Sequence, residues 1–194
     1  MNYDLEKMRQ MILEQLEHPS YVHPEDIPSI DLYMDQVTTF MERELGDSRR
    51  NEKDKVLTKT MINNYAKNRL LPPPVKKKYS KEHLLLLVFI YYSKGILSLQ
   101  DIQSLLAPLT RDYFQKQDGP SIPDIYDEIL RLAPESLERI REDISGIFDQ
   151  AGQSFQDAAQ DDQAFLRYFL LITSLSLDIY LKKRIIEKLI DEVC

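Results

Sequence analysis

Three consecutive prolines, Pro72-Pro73-Pro74, constrain the fold of this chain more than any other stretch. Each fixes φ near −65° and lacks a backbone N–H, so neither a helix nor a sheet ladder runs through them. The flanking segments must be separate elements meeting at a stiff corner. Lys76-Lys77-Lys78 follow at once, then Tyr79-Ser80 and a nine-residue apolar run, Leu84 to Tyr92. The positive charge is concentrated around this corner. From Arg49 to His83 eleven Lys/Arg stand against three acids, a local balance of +8. The whole chain carries −7, so the other 159 residues carry −15. Such segregation predicts one region facing a polyanion on an otherwise acidic body.

Periodicity reads helical nearly everywhere, so the expected class is all-α. Asp4 caps a first helix with Leu5, Met8, Ile12 and Leu16 on one stripe. Residues 18–28, with three prolines, read as an extended linker. Ser29 is placed as the cap of a second helix with Ile30, Tyr33, Met34, Val37, Met41 and Leu45 at core spacing. Gly46 to Lys55 reads as a charged loop. Thr58 caps a helix to about Asn68, with Leu57 and Ile62 in the positions of a hydrophobic staple. At 100° per residue its Met61, Ile62, Tyr65 and Ala66 share one side, and Lys59, Thr60, Asn63, Asn64 and Lys67 share the other. That outer side holds donors suited to phosphates and base edges, and no acid. Ser80 caps the apolar helix, Gly95 stops it, and Ser98 caps "LQDIQSLL", which Pro108 is expected to end.

The remainder predicts short helices at about 123–132 and 135–149, a Gln/Asp-rich stretch at 150–162, and a long terminal helix capped by Asp162. On a seven-residue grid that helix places Phe165, Ile172, Ile179, Ile186 and Val193 on one line, with Tyr168, Leu175, Lys182 and Leu189 three residues on. The spacing permits a homodimer seam through Phe165, Tyr168, Ile172, Leu175, Ile179, Ile186 and Leu189. The added apolar residues at 166, 170, 171, 177, 181 and 185 equally suit a bundle helix. The expected division is 1–28, an N-terminal helix and linker; 29–108, a compact helical unit; and 109–194, a helical C-terminal domain.

Catalytic and metal chemistry find little support. His18 and His23 lie five apart, no His-x3-His or cysteine pair occurs, and the five glycines form no phosphate-cradling motif. No enzyme activity and no cofactor are expected. The lone Cys194 suits a reducing cytosol, and the apolar run of nine is short of the roughly 20 residues of a membrane span, so a cytoplasmic protein without membrane contact is expected.

The order "MINNYAKNRLLPPP", "VKKKYSKEHLLLLVFIYY", "ILSLQDIQSLL" resembles the DNA-binding domain of the MerR family. The likeness covers roughly 50 residues. It implies a winged helix-turn-helix within 29–108, a recognition helix over 58–68, and a wing over 75–78. The family's Arg-Tyr-Tyr falls on Asn63, Asn64 and Tyr65, with the arginine replaced. The wing is several residues shorter, and Gly46 to Leu57 lengthens the turn. The chain also resembles an uncharacterised bacterial family with the same "LTKTMINNY…LLPPP…KKYS" block, which has no established activity. The expectation is therefore a transcriptional regulator contacting double-stranded DNA through Lys59, Thr60, Asn63, Asn64, Tyr65, Lys67, Arg69, Lys76, Lys77, Lys78 and Tyr79, with an unidentified small-molecule effector as a further possibility. The alternative expectation is an adaptor whose helix-turn-helix core binds an acidic partner.

Overall fold

The computed structural model describes residues 4–17, 21–51 and 53–194, and the side chain of residue 161 is not described. The chain forms two compact units, one from residues 1–19 and 131–185, the other from 20–130 and 186–194. The elements run α1 (Leu5–Gln15), β1 (Leu32–Tyr33), α2 (Met34–Leu45), α3 (Lys59–Lys67), β2 (Lys78–Tyr79), α4 (Lys81–Ser93), α5 (Leu99–Tyr113), α6 (Ile122–Gln153) and α7 (Gln160–Val193). The fold is mostly helical, with one antiparallel pair of two-residue strands.

The larger unit is built around α4. Leu84 to Val88 and Ile90 are fully buried, as a helix apolar on every side requires. They join Val37, Phe40, Met41 and Leu45 of α2, Ile62 and Tyr65 of α3, and Ile102 and Leu106 of α5 in one core. Truncating Leu86 to Ala should cost about 2–5 kcal/mol, from lost transfer energy plus the cavity left behind, read as a lower urea midpoint.

The Pro-containing stretch after α1 is no bare linker. Val22 and Ile27 are core residues. The Tyr126 hydroxyl donates to the Val22 carbonyl at 2.6 Å, and Val22 N–H donates to the Tyr92 hydroxyl at 3.3 Å. Residues 18–20 of the expected linker lie outside the described residues.

Four boundaries differ from the periodic reading. The second helix starts at Met34, not after Ser29, because Leu32 and Tyr33 pair with Tyr79 and Lys78. Ile30 is 68% exposed, and Tyr33, also expected in the core, stands outside as well. Pro108 does not end α5. Leu109 and Tyr113 pack against the core beyond it, and the Thr110 hydroxyl reaches the Leu106 and Ala107 carbonyls, so packing outweighs the one lost backbone donor. Pro134 likewise lies inside α6, which replaces the two short helices. Its ring is exposed. Asp162 sits in the first turn of α7 rather than at its cap, its N–H donating to Ala159 O.

In the smaller unit Asp4 caps α1 as expected, accepting from Lys7 N–H at 3.1 Å. Leu5, Met8 and Ile12 pack on Phe148, Ala151 and Leu171, with Ile144, Ile147 and Leu170 alongside. Arg9 donates to Asp149 and to the Ser145 hydroxyl, each at 2.9 Å. Among the described residues α7 is the one helix long and apolar enough to cross a membrane by length and composition.

Candidate nucleic-acid interface

Helix α3 begins at Thr58, whose hydroxyl accepts from Met61 N–H at 3.1 Å. Leu57 and Ile62 are buried on either side of that cap. Ile62 and Tyr65 face the core, and Lys59, Thr60, Asn63, Asn64 and Lys67 are all exposed on the other side. The helix ends in a Schellman closure. Leu70 N–H donates to Tyr65 O at 2.9 Å and Arg69 N–H to Ala66 O at 3.2 Å. The residue such a closure turns left-handed is ordinarily glycine. Here it is Arg69, with φ of 60°.

Leu70 and Leu71 are buried, and the three prolines then lead to a minimal hairpin. Val75 N–H donates to Lys78 O at 3.1 Å, and Lys78 N–H returns to Val75 O at 2.9 Å. Between them Lys76 and Lys77 have φ of 49° and 64°. Positive φ at both central residues is the type I′ turn, which favours Asn-Gly. Both lysines are exposed, and neither forms an ion pair among the described residues. Five non-glycine residues among those described take positive φ, and three are cations of this tract: Arg69, Lys76 and Lys77. Side chains with a Cβ hold this backbone at a cost of order 1 kcal/mol or more each.

Side-chain contacts run from α3 to α2 and from the hairpin to β1. Lys59 is ion-paired with Asp35 in the first turn of α2. Tyr33 immediately precedes α2, and the Lys78 ammonium lies 5.2 Å from the Tyr33 ring centre. One contact thus ties α3 to the start of α2, and the other ties β2 to β1 just before it. The Lys59–Asp35 pair is mostly solvated, so it orients Lys59 while adding little stability. An open groove of about 580 Å³ runs between α2 and the start of α3, lined by Thr38, Thr39, Glu42, Arg43, Lys55, Leu57, Thr58 and Lys59.

Two expected contact residues are placed elsewhere. Tyr65 and Tyr79 are buried, 6% and 3% exposed, and burial pushes both phenols above the ordinary tyrosine range. They hold α3 and β2 to the core. Arg43, which lines the groove beside Lys59, and Tyr33, expected in the core but set against Lys78, were not among the expected contacts. Arg43 lies outside the basic tract, and a two-residue strand leaves no periodic trace. On α7, Phe165, Ile172, Ile179 and Leu189 of the expected seam are more than half exposed, whereas Tyr168, Leu175 and Ile186 are half-buried.

Residues 22–129 match the family model described as a domain of unknown function, DUF1836. No curated protein and no solved structure matches the chain.

Proposed function

Within the DUF1836 family, to which the chain belongs, we propose that α3 and the 75–78 hairpin form a duplex-DNA-binding surface, and that the protein is a DNA-binding regulator of the winged helix-turn-helix kind. The observation that carries this reading is the strained basic tract. Arg69, Lys76 and Lys77 occupy backbone positions where glycine or asparagine would fold more cheaply. Strain retained at exposed residues points to what the side chains do. Here each supplies a positive charge on a chain of net charge −7.

The parts suit a groove. Helix α3 has nine residues, about 13 Å of axis at 1.5 Å per residue, comparable to the roughly 12 Å width of the major groove. Asn63 and Asn64 offer the paired donor and acceptor that read adenine, and Lys59 and Lys67 flank them as phosphate contacts. Lys76 and Lys77 meet the backbone as point charges, giving affinity more than sequence discrimination. The test is selection of the full chain on a random duplex pool at two salt concentrations. Enrichment of one sequence class, with binding that falls steeply as salt rises, is expected. Equal affinity for every duplex would turn the surface into an adaptor for an acidic partner.

We also propose that α7 pairs with a second copy of itself. Phe165, Phe169, Ile172, Ile179 and Tyr180 are each more than half exposed, and with Ser176 they fall within an arc of about 100°. The Phe165 and Phe169 rings are 6.2 Å apart, centre to centre. Five such side chains offer of order 500 Å² per copy, near the lower bound of a specific interface once doubled. Lipid is a poorer occupant. Arg167 and Asp178 interrupt the apolar stretch. The helices packed on α7 also carry Arg9, Glu142, Asp143 and Asp149.

A further inference from the structure

His83 is the sole buried charged or polar residue in the core among the described residues, 1% exposed, and it sits where four pieces of the larger unit meet. Its Nδ1 accepts from the Ser80 N–H at 3.0 Å and lies 2.9 Å from the Ser80 hydroxyl. His83 therefore fills the third position of a capping box that glutamate or glutamine ordinarily fills. The ring meets Tyr79 of β2 edge-on at 5.5 Å and Phe114, just past α5, at 4.8 Å. Because Nδ1 is an acceptor, the neutral ring carries its proton on Nε2. That atom is buried without a hydrogen-bond partner among the described residues, and the nearby carbonyls of Pro72 and Pro73 favour a proton on the ring.

We propose that His83 is the positioning residue of the basic hairpin: its neutral ring ties the proline corner and β2 to the start of α4, and protonation releases the hairpin from that anchor. A second ring proton would sit on Nδ1, so the Ser80 N–H loses its acceptor and the Ser80 hydroxyl, 2.9 Å away, is the group left to receive that proton. The histidine half of the capping box is then lost, and a charged imidazolium is left between two aromatic rings. Expulsion of the ring loosens Tyr79, the inward-facing residue of β2, and with it the turn carrying Lys76 and Lys77.

The electrostatic surroundings agree. Burial holds the ring below the ordinary histidine range, opposed by the carbonyls of Pro73 and Pro72 and by the charge of Asp31. The ionisable groups closest to these contacts along the chain are Lys78 and Tyr79 on β2, Lys81 and Glu82 on α4, and Arg111, Asp112, Tyr113 and Lys116 beside Phe114, with Tyr91, Tyr92 and Asp101 farther along α4 and α5. Lys81 is turned to Pro24 O, and Glu82 accepts from Gln115 N–H. A histidine depressed in the folded state binds fewer protons than the unfolded chain. Its contribution to stability is complete above about pH 6.5 and is lost as pH falls from there toward the folded-state value. The consequence for regulation rests on the DNA-binding reading; the anchor itself does not.

The experiment follows the His83 ring resonances and the exchange protection of the Val75 and Lys78 amides in the full chain from pH 7.5 to pH 5.0, without DNA. Protection, corrected for intrinsic exchange, should drop at least tenfold with the midpoint of the His83 titration. His83→Gln should keep the box through its side-chain oxygen and remove this pH dependence. Loss of protection in His83→Gln with the same pH profile as the parent, or titration of His83 with the hairpin amides still protected, would overturn the proposal. Should His83→Gln not fold, the coincidence or separation of the two midpoints in the parent decides. Since no duplex is present, failure of DNA binding elsewhere leaves this result interpretable.

Discussion

Exchanging Lys76-Lys77 for Asn-Gly is expected to stabilise the protein by about 1 kcal/mol and to weaken duplex binding tenfold or more. The two effects have separate causes. Asn-Gly adopts the type I′ turn without the Cβ penalty that Lys76 and Lys77 carry at φ of 49° and 64°. Part of that gain is offset because glycine gives the unfolded chain more freedom. The affinity loss comes from removing two phosphate contacts, which should also flatten the slope of log affinity against log salt by about 1.8. Thermal unfolding gives the first quantity and a salt series of duplex titrations the second. A more stable variant with undiminished affinity would leave the lysines as a solvated turn and remove the wing from the binding surface. Because stability and affinity are expected to move in opposite directions, a general loss of folding cannot imitate the result.

Placing aspartate at both Ile172 and Ile179 is expected to convert a dimer to monomer without disturbing the fold. The side chains are 63% and 58% exposed in the single chain, so the carboxylates remain in water there. In a two-fold pairing each substitution occurs twice, and four carboxylates would lose their hydration at the seam. Unpaired buried charge costs several kcal/mol, so the dissociation constant should rise by at least a thousandfold. Sedimentation of parent and variant across a concentration series measures this. A parent that stays monomeric at every concentration, or that binds neutral lipid vesicles in proportion to the apolar face, would end the pairing proposal. The melting temperature of dilute variant should match that of dilute parent.

What could be read from the sequence followed the strength of each local signal. The caps at Asp4, Thr58, Ser80 and Ser98 and the buried run around Leu86 were legible, because a cap is one side chain bonding its own backbone and a continuous apolar run has a single remedy. The ends at Pro108 and Pro134 were misread. Proline removes one donor, and whether a helix tolerates the loss depends on packing further along, here Leu109 and Tyr113 beyond Pro108. The strand at Leu32–Tyr33 was invisible since its partners, Tyr79 and Lys78, lie far along the chain, and Ile30 and Tyr33 fitted a helical stripe equally well. On the candidate interface, spacing alone found the exposed side of α3. It gave no hint that Tyr79 turns inward, nor that three of the cations occupy left-handed backbone, which depends on how Tyr65 and Leu70 close the helix at Arg69 and on how Val75 and Lys78 close the turn at Lys76 and Lys77.

The pairing of α1 with residues 144–171 has a consequence for synthesis. The side chains that cover Leu5, Met8 and Ile12 are translated more than 130 residues after them. Residues 20–130 hold most of their unit's core and can condense while the tail is still being made. Helix α1 meanwhile stays an amphipathic tether with its apolar side open to chaperones, and it closes onto its unit only once residues 144–171 have emerged.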